Sequence, residues 1–156
     1  MLRILFVCTG NTCRSPIAQA LLKKMWDEQS IDSELKVLSA GIFTSDGLPA
    51  SPEAIEVMLK ENIDITDHKS LQINEQLIKD ADLIFTMTEF HRRSIIDEFP
   101  EYESSVFTIT EYINLEGDIV DPFGRGVEAY YETVEQLKGI TTELVKKLNE
   151  DIERNI

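Results

Sequence analysis

The chain has 156 residues, 42% of them hydrophobic and 8% aromatic, an ordinary globular composition long enough to bury a sizeable core. Its 29 carboxylates against 15 lysines and arginines give a formal net charge of −14, which excludes the broad basic face needed for sequence-independent nucleic-acid binding. No run approaches the about 18 consecutive apolar residues of a membrane span.

The apolar run at the N-terminus is too short for a secretion signal, so a reducing, cytoplasmic setting is expected. Ile4 to Val7 is a continuous β-rich run, as in a strand buried on both faces of a parallel sheet. A helix follows, with Ser15 as its expected cap and Pro16 in its first turn. Ile17, Leu21, Leu22, Met25 and Trp26 recur at helical spacing and form its buried face. Leu35 to Leu38 is a second strand, closing in Ser39-Ala40-Gly41. Residues 42 to 50 read as a loop, Pro52 opens a helix carrying Ile55, Met58 and Leu59, and Asn62 to Ser70 is an irregular connection. A short helix is expected at Asn74 to Asp80 and a third strand at Leu83 to Met87. Thr88 then caps a helix over Glu89 to Glu98, which Pro100 ends. Val106 to Ile109 is a fourth strand, Asp118 to Gly126 a loop, and Val127 to Glu153 a long helix. Tyr130, Val134, Leu137, Leu144, Leu148 and Ile152 lie along one stripe of it. Strands alternating with helices predict one α/β domain over 1–156, a three-layer sandwich whose parallel sheet is covered on both faces. Such sheets bind ligands beyond the carboxyl ends of their strands, which directs attention to the loop after the first strand.

That loop is Cys8-Thr9-Gly10-Asn11-Thr12-Cys13-Arg14-Ser15, a cysteine and an arginine with five residues between them. A thiol is a useful nucleophile only as thiolate, and a free one with pKa near 8.5 is mostly protonated at neutral pH. Backbone N–H groups from Thr9 to Arg14, the positive end of the helix and the Ser15 hydroxyl can all point at Cys8 and lower that value. The same donors suit phosphoryl oxygens, and Arg14 adds a planar fork that binds two of them at once. Gly10 and Asn11 tolerate the left-handed backbone of a tight cradle. Neither G-x-x-x-x-G-K-[ST] nor G-x-G-x-x-G occurs, and no metal or other cofactor is needed if Arg14 and the amides neutralise the phosphoryl charge. Two cysteines with only His68 and His91 as further soft ligands also argue against a structural zinc site and a disulfide framework. The plain alternative is an inert cysteine at a strand end.

Residues 8 to 16, C-T-G-N-T-C-R-S-P, resemble the phosphate-binding loop of the low-molecular-weight protein-tyrosine-phosphatase family. Ser39-Ala40-Gly41, the Asp82 to Met87 strand and Asp121-Pro122 also fall where that family has counterparts. The resemblance implies a four-stranded sheet of order 2-1-3-4 and a cysteinyl-phosphate mechanism. By it, Cys8 is the nucleophile, Arg14 the phosphate clamp and Ser15 a stabiliser of the thiolate. Asn11 holds the loop, with Ser39 and His68 as its expected partners. Asp121, held extended by Pro122, is the expected proton donor to the leaving group, with Asp118 as its substitute. The family usually has an aliphatic residue at the position of Thr12 and two aromatics after Asp-Pro. Thr12 and the segment Asp121-Pro122-Phe123-Gly124 instead resemble its protein-arginine-phosphatase branch. A phosphoguanidinium is a polar, donor-rich plane: Thr12 offers it an oxygen, Asp121 accepts its N–H groups, and Phe123 flanks the aliphatic stem.

The expected partners are therefore phosphorylated proteins bearing phosphoarginine, met by a monomer, with no nucleic acid and no membrane. Phosphotyrosine is the alternative substrate within the family, and a cysteine phosphocarrier or a pure phosphate-recognition module are alternatives outside it. A thioredoxin-coupled arsenate reductase would need cysteines beyond Cys13, and the sequence has none. Cys13 reads either as a small filler of the loop's outer wall or as a redox partner for Cys8. His91-Arg92-Arg93 reads most simply as a solvated helix face, and Tyr130 and Tyr131 as part of the last helix's stripe.

Overall fold

A computed structural model describes residues 1–154. Four parallel strands, β1 (Leu2–Cys8), β2 (Leu35–Gly41), β3 (Leu83–Thr86) and β4 (Val106–Thr108), form one sheet in the order β2-β1-β3-β4. This is the expected order and direction. Pairing runs Leu2 with Leu35 through Cys8 with Gly41, so the first two strands end level, side by side.

Alternation along β1 divides the core between the two faces of the sheet. Ile4, Phe6 and Cys8 point into one cluster, shared with Ile17, Leu22 and Trp26 of α1 (Arg14–Glu28), Met58 of α2 (Pro52–Leu59) and Leu137 and Leu144 of α6 (Val127–Arg154). Leu5 and Val7 point into the other, with Ile78 of α3 (Glu75–Asp80) and Ile95 of α4 (Glu89–Glu98). Burying both faces is why β1 reads as a continuous apolar run. Trp26 is 3% exposed, and its indole N–H donates to the Ser33 carbonyl at 2.9 Å.

Several local expectations change. Ile109 leaves the fourth strand and opens α5 (Ile109–Tyr112), because Thr108 and Glu111 form a reciprocal cap that starts a helix there. Met87 likewise lies beyond β3. Leu59 is exposed, placed on the outer side of α2 by its position in the last turn. α4 ends at Glu98 before Pro100, as expected, and Pro100 also begins a 3₁₀ turn reaching Ser105. Ser15 does not cap α1. That helix starts at Arg14 with Cys13 at the N-cap and no capping side chain. The Ser15 hydroxyl is turned back toward the cradle instead.

Candidate active site

β1 delivers Cys8 to the carboxyl edge of the sheet, and the chain wraps round its sulfur before entering α1. The wrap depends on Asn11, which takes the left-handed conformation at φ +57°, whereas Gly10 does not have positive φ. Asparagine tolerates this region because its short polar side chain finds local partners. Here they are numerous. Asn11 Nδ2 donates to Ser15 Oγ at 2.8 Å and to Ser39 Oγ at 2.9 Å, and Oδ1 accepts from the Leu71 amide at 2.9 Å. His68 Nε2 reaches the Asn11 carbonyl at 2.7 Å. Burial holds the His68 pKa below its usual value, with the bond to the Asn11 carbonyl opposing, so a neutral ring donates Nε2–H. Both expected partners of Asn11, Ser39 and His68, are thus in place.

These bonds have a direction. Ser15 Oγ accepts from Asn11 and stands 2.9 Å from Cys8 Sγ, and its O–H donates to that sulfur when Cys8 is a thiolate. Ser39 Oγ, also accepting from Asn11, donates its O–H to Gln19 Oε1 at 2.6 Å. The backbone N–H groups of Ser15 and Asn11 also face Cys8. The donors expected round the sulfur are present, but the expected net lowering of its pKa is not. Cys8 is 2% exposed, and burial pushes the thiol up. The Ser15 hydroxyl, the Arg14 guanidinium and the two amides pull it back without cancelling that effect.

Arg14 is 4% exposed. Its Nη1 donates to the Ile119 carbonyl at 2.9 Å and its Nη2 to Thr9 Oγ1 at 3.4 Å, and Nη2 stands 3.6 Å from Asp121 Oδ2. Asp121, Phe123, Thr9, Gly10, Thr12, Cys13 and Arg14 line a cleft of about 220 Å³ with Cys8 at its floor. Grooves of about 560 and 420 Å³ lie elsewhere, one at the amino ends of the strands beside Arg3 and Asp82, one along α1 and β2, and neither contains a cysteine. The smaller cleft is the one that brings Cys8, Arg14 and Asp121 together. Its contents suit a tetrahedral anion held by amides and a guanidinium over a sulfur nucleophile, with a carboxylate at the mouth.

The family model described as low molecular weight phosphotyrosine protein phosphatase matches residues 3–154. The chain belongs to this family. A protein-arginine-phosphatase of Bacillus subtilis is 39% identical over 149 residues, 95% of this chain and 97% of that protein. The low-molecular-weight protein-tyrosine-phosphatase PtpB of Staphylococcus haemolyticus is 40% identical over 136 residues, 87% and 92% of the two chains. Among solved structures, YwlE arginine phosphatase, a mutant with a phosphorylated active-site serine, superposes with a TM-score of 0.92 at 38% identity, covering 96% of this chain and 97% of that one.

In this phosphatase fold several residues support the cradle in ways that the sequence did not assign to them. Gly41 pairs with Cys8, and a Cβ there would come within 2.7 Å of the Thr9 carbonyl and 3.1 Å of the Asn11 amide, so only glycine lets β2 lie against the cradle. Ser51 caps α2 and donates its amide to the Thr12 carbonyl at 2.9 Å. Tyr130, read only as core stripe, brings its hydroxyl to 3.1 Å from Cys13 Sγ and 3.3 Å from Ser51 Oγ. Cys13 is a free, buried thiol occupied with these groups. Asp118 is committed to the amide of Glu89 at the start of α4, at 2.9 Å, and does not line the cleft. The solvated-face reading of residues 91 to 93 fails at His91. That side chain is 2% exposed, with Nε2 2.8 Å from Thr9 Oγ1. It sits in the first turn of α4, and a helix starting at the carboxyl edge of β3 aims that turn at the cradle.

Proposed function

We propose that this protein is a cysteine-dependent phosphatase that removes the phosphoryl group from phosphoarginine residues of other proteins. One observation carries the reading: Thr12 and Asp121 line the same cleft of about 220 Å³ as Cys8 and Arg14. The nucleophile thus has a hydroxyl and a carboxylate beside it, two groups that can accept the N–H donors of a guanidinium, with Phe123 to flank its aliphatic stem.

Because burial holds the Cys8 thiol above its ordinary value, its proton leaves as the phosphoryl group arrives, and a phosphoryl oxygen is the acceptor at hand. Sγ attacks phosphorus while Arg14 and the cradle amides hold the equatorial oxygens. The P–N bond breaks, and the Asp121 carboxyl gives a proton to the departing guanidine nitrogen. The arriving phosphoryl group takes over the Arg14 guanidinium that otherwise faces Asp121 across 3.6 Å, which frees that carboxyl for the leaving group. In the second step the Asp121 carboxylate accepts a proton from water, whose oxygen attacks the cysteinyl-phosphate. The P–S bond breaks, inorganic phosphate leaves, and Cys8 is restored. Arg14 and the amides supply the neutralising charge, so the scheme calls for no metal. The acidic chain suits substrates that are proteins and not nucleic acids, met by a cytoplasmic monomer on this proposal.

Phosphotyrosine is the second reading, favoured by the similarity to the Staphylococcus haemolyticus tyrosine phosphatase. Hydrolysis of phosphoarginine and phosphotyrosine peptides by the wild type and by Thr12→Ile separates the two. The wild type is expected to prefer phosphoarginine, and Thr12→Ile to shift the ratio of kcat/KM values toward phosphotyrosine by roughly ten-fold or more. A wild type at least as active on phosphotyrosine would overturn the assignment.

A further inference from the structure

His91 is the buried titratable side chain that the scheme above leaves unused. Its Nε2 is bonded to Thr9 Oγ1, and its Nδ1 is buried with no hydrogen-bond partner among the described residues. Burial, reinforced by the Arg14 guanidinium and opposed by Asp118 and Asp121, brings its pKa down to about 4. Near neutral pH the ring therefore carries one proton, on one nitrogen or the other.

The orphaned Nδ1 decides which. A proton there would leave a buried N–H unpaired, which proteins avoid more consistently than an idle acceptor lone pair. With the proton on Nε2, His91 donates to Thr9 Oγ1. The Thr9 oxygen then accepts twice, from His91 at 2.8 Å and from Arg14 Nη2 at 3.4 Å, which fills both of its lone pairs. What remains to Thr9 is its O–H. Thr9 lines the cleft over Cys8, so that hydroxyl faces whatever occupies the cradle.

We infer that His91 is a positioning residue: as the Nε2–H tautomer it makes the Thr9 hydroxyl an obligatory hydrogen-bond donor to a phosphoryl oxygen in the cradle. The inference rests on the cradle's binding a phosphoryl group, as the proposed function has it. It explains why an imidazole is buried at the start of α4, where a solvated face would have been simpler.

The test has a spectroscopic arm and a binding arm, both on the full-length protein. Histidine ¹⁵N NMR at neutral pH reads the tautomer: Nε2–H for His91 is expected, and Nδ1–H would overturn the inference. In the binding arm inorganic phosphate is the probe, as a competitive inhibitor. Thr9→Val and His91→Leu are each expected to raise its Ki by roughly ten- to a hundred-fold, the value of one hydrogen bond to an anion. The double variant should go no further than either single one, and His91→Gln, which keeps an N–H within reach, should recover most of the affinity. Additive single effects, or a Ki unmoved in Thr9→Val, would overturn it. Should His91→Leu fold poorly, Thr9→Val and the tautomer still decide. A wild type that does not bind phosphate at all would instead defeat the reading of the cradle itself, which keeps the two failures apart.

Discussion

The two halves of the site are built differently. In the cradle, Asn11 and Ser15 have no exposed surface, Arg14 has 4%, and each of their side chains is hydrogen-bonded to another element. Across the cleft, Phe123 is 70% exposed and the Asp121 side chain 52%, held mainly by a bond from the Phe123 amide to Asp121 Oδ1 at 3.1 Å. The contrast follows from what each half has to recognise. A tetrahedral phosphoryl group is the same in every substrate, and fixed donors stabilise it without reorganising. The group that leaves belongs to a protein chain of variable surroundings, and a carboxylate on an exposed loop can follow it. Rigid recognition and movable proton transfer thus sit on opposite walls.

That division can be tested by breaking each wall separately. Cys8→Ser should have the largest effect, a loss of turnover of at least about 10⁴-fold, because a serine hydroxyl in this cradle lacks a base to activate it. Inorganic phosphate, followed by calorimetry, should still bind, since the cradle donors remain. Loss of binding together with turnover would mean that sulfur helps to hold the cradle open, and the contrast would blur.

Asp121→Asn comes next. It removes the proposed proton donor while preserving shape, and about a 10²- to 10³-fold fall in kcat is expected. KM and thermal stability should change little, because the side chain is half exposed and Arg14 is its one ion-pair partner among the described residues. A fall in stability comparable to that of a cradle variant would contradict the idea of a loosely held wall.

Asn11→Ala should show the converse, a modest loss in rate and a large loss in stability. Leaving Leu71 N–H, Ser15 and Ser39 without their partner costs about 2 to 4 kcal/mol, measurable by urea unfolding. The sign of its effect on Cys8 follows from the bond directions. Without Asn11 the Ser15 hydroxyl is free to turn away from sulfur, so the thiol pKa rises further. The pH dependence of alkylation by iodoacetamide should then move to higher pH. Burial already holds the Cys8 thiol above its ordinary value, so the folded protein keeps that proton more tightly than the unfolded chain does. This contribution to stability is complete below the ordinary thiol range and disappears as pH rises through the folded value.

What the sequence revealed about the site is what lies close together along the chain. Cys8, Asn11, Arg14 and Ser15 are contiguous, and the strand before and helix after them fix their relative placement. Asp121 was legible through Pro122, which restricts its backbone. Ser15 was misread as a cap because a serine at a helix start has two uses, and only the sulfur behind it decides between them. Gly41, His91 and Tyr130 were silent for a different reason. Gly41 and His91 meet the cradle because the strand order puts β2 and β3 beside β1, and Tyr130 because α6 packs on α1 and α2, so the contact of each is set by distant parts of the chain. Of these, only His91 is of a residue type that hints at chemistry, and its two charged neighbours along α4 hid it.

One buried side chain in the fold has a practical consequence for experiments. Trp26 is the chain's single tryptophan, and it lies twelve residues along α1 from Arg14, roughly 18 Å at the rise of a helix. Its indole N–H is satisfied by the Ser33 carbonyl on the side of the molecule away from the cleft. Intrinsic emission from this protein therefore reports whether α1 is docked on the sheet and stays silent when the cradle fills. A folding assay and a binding assay can share one cuvette without interfering, and a ligand signal requires a fluorophore installed at the cleft mouth, where Phe123 already stands in solvent.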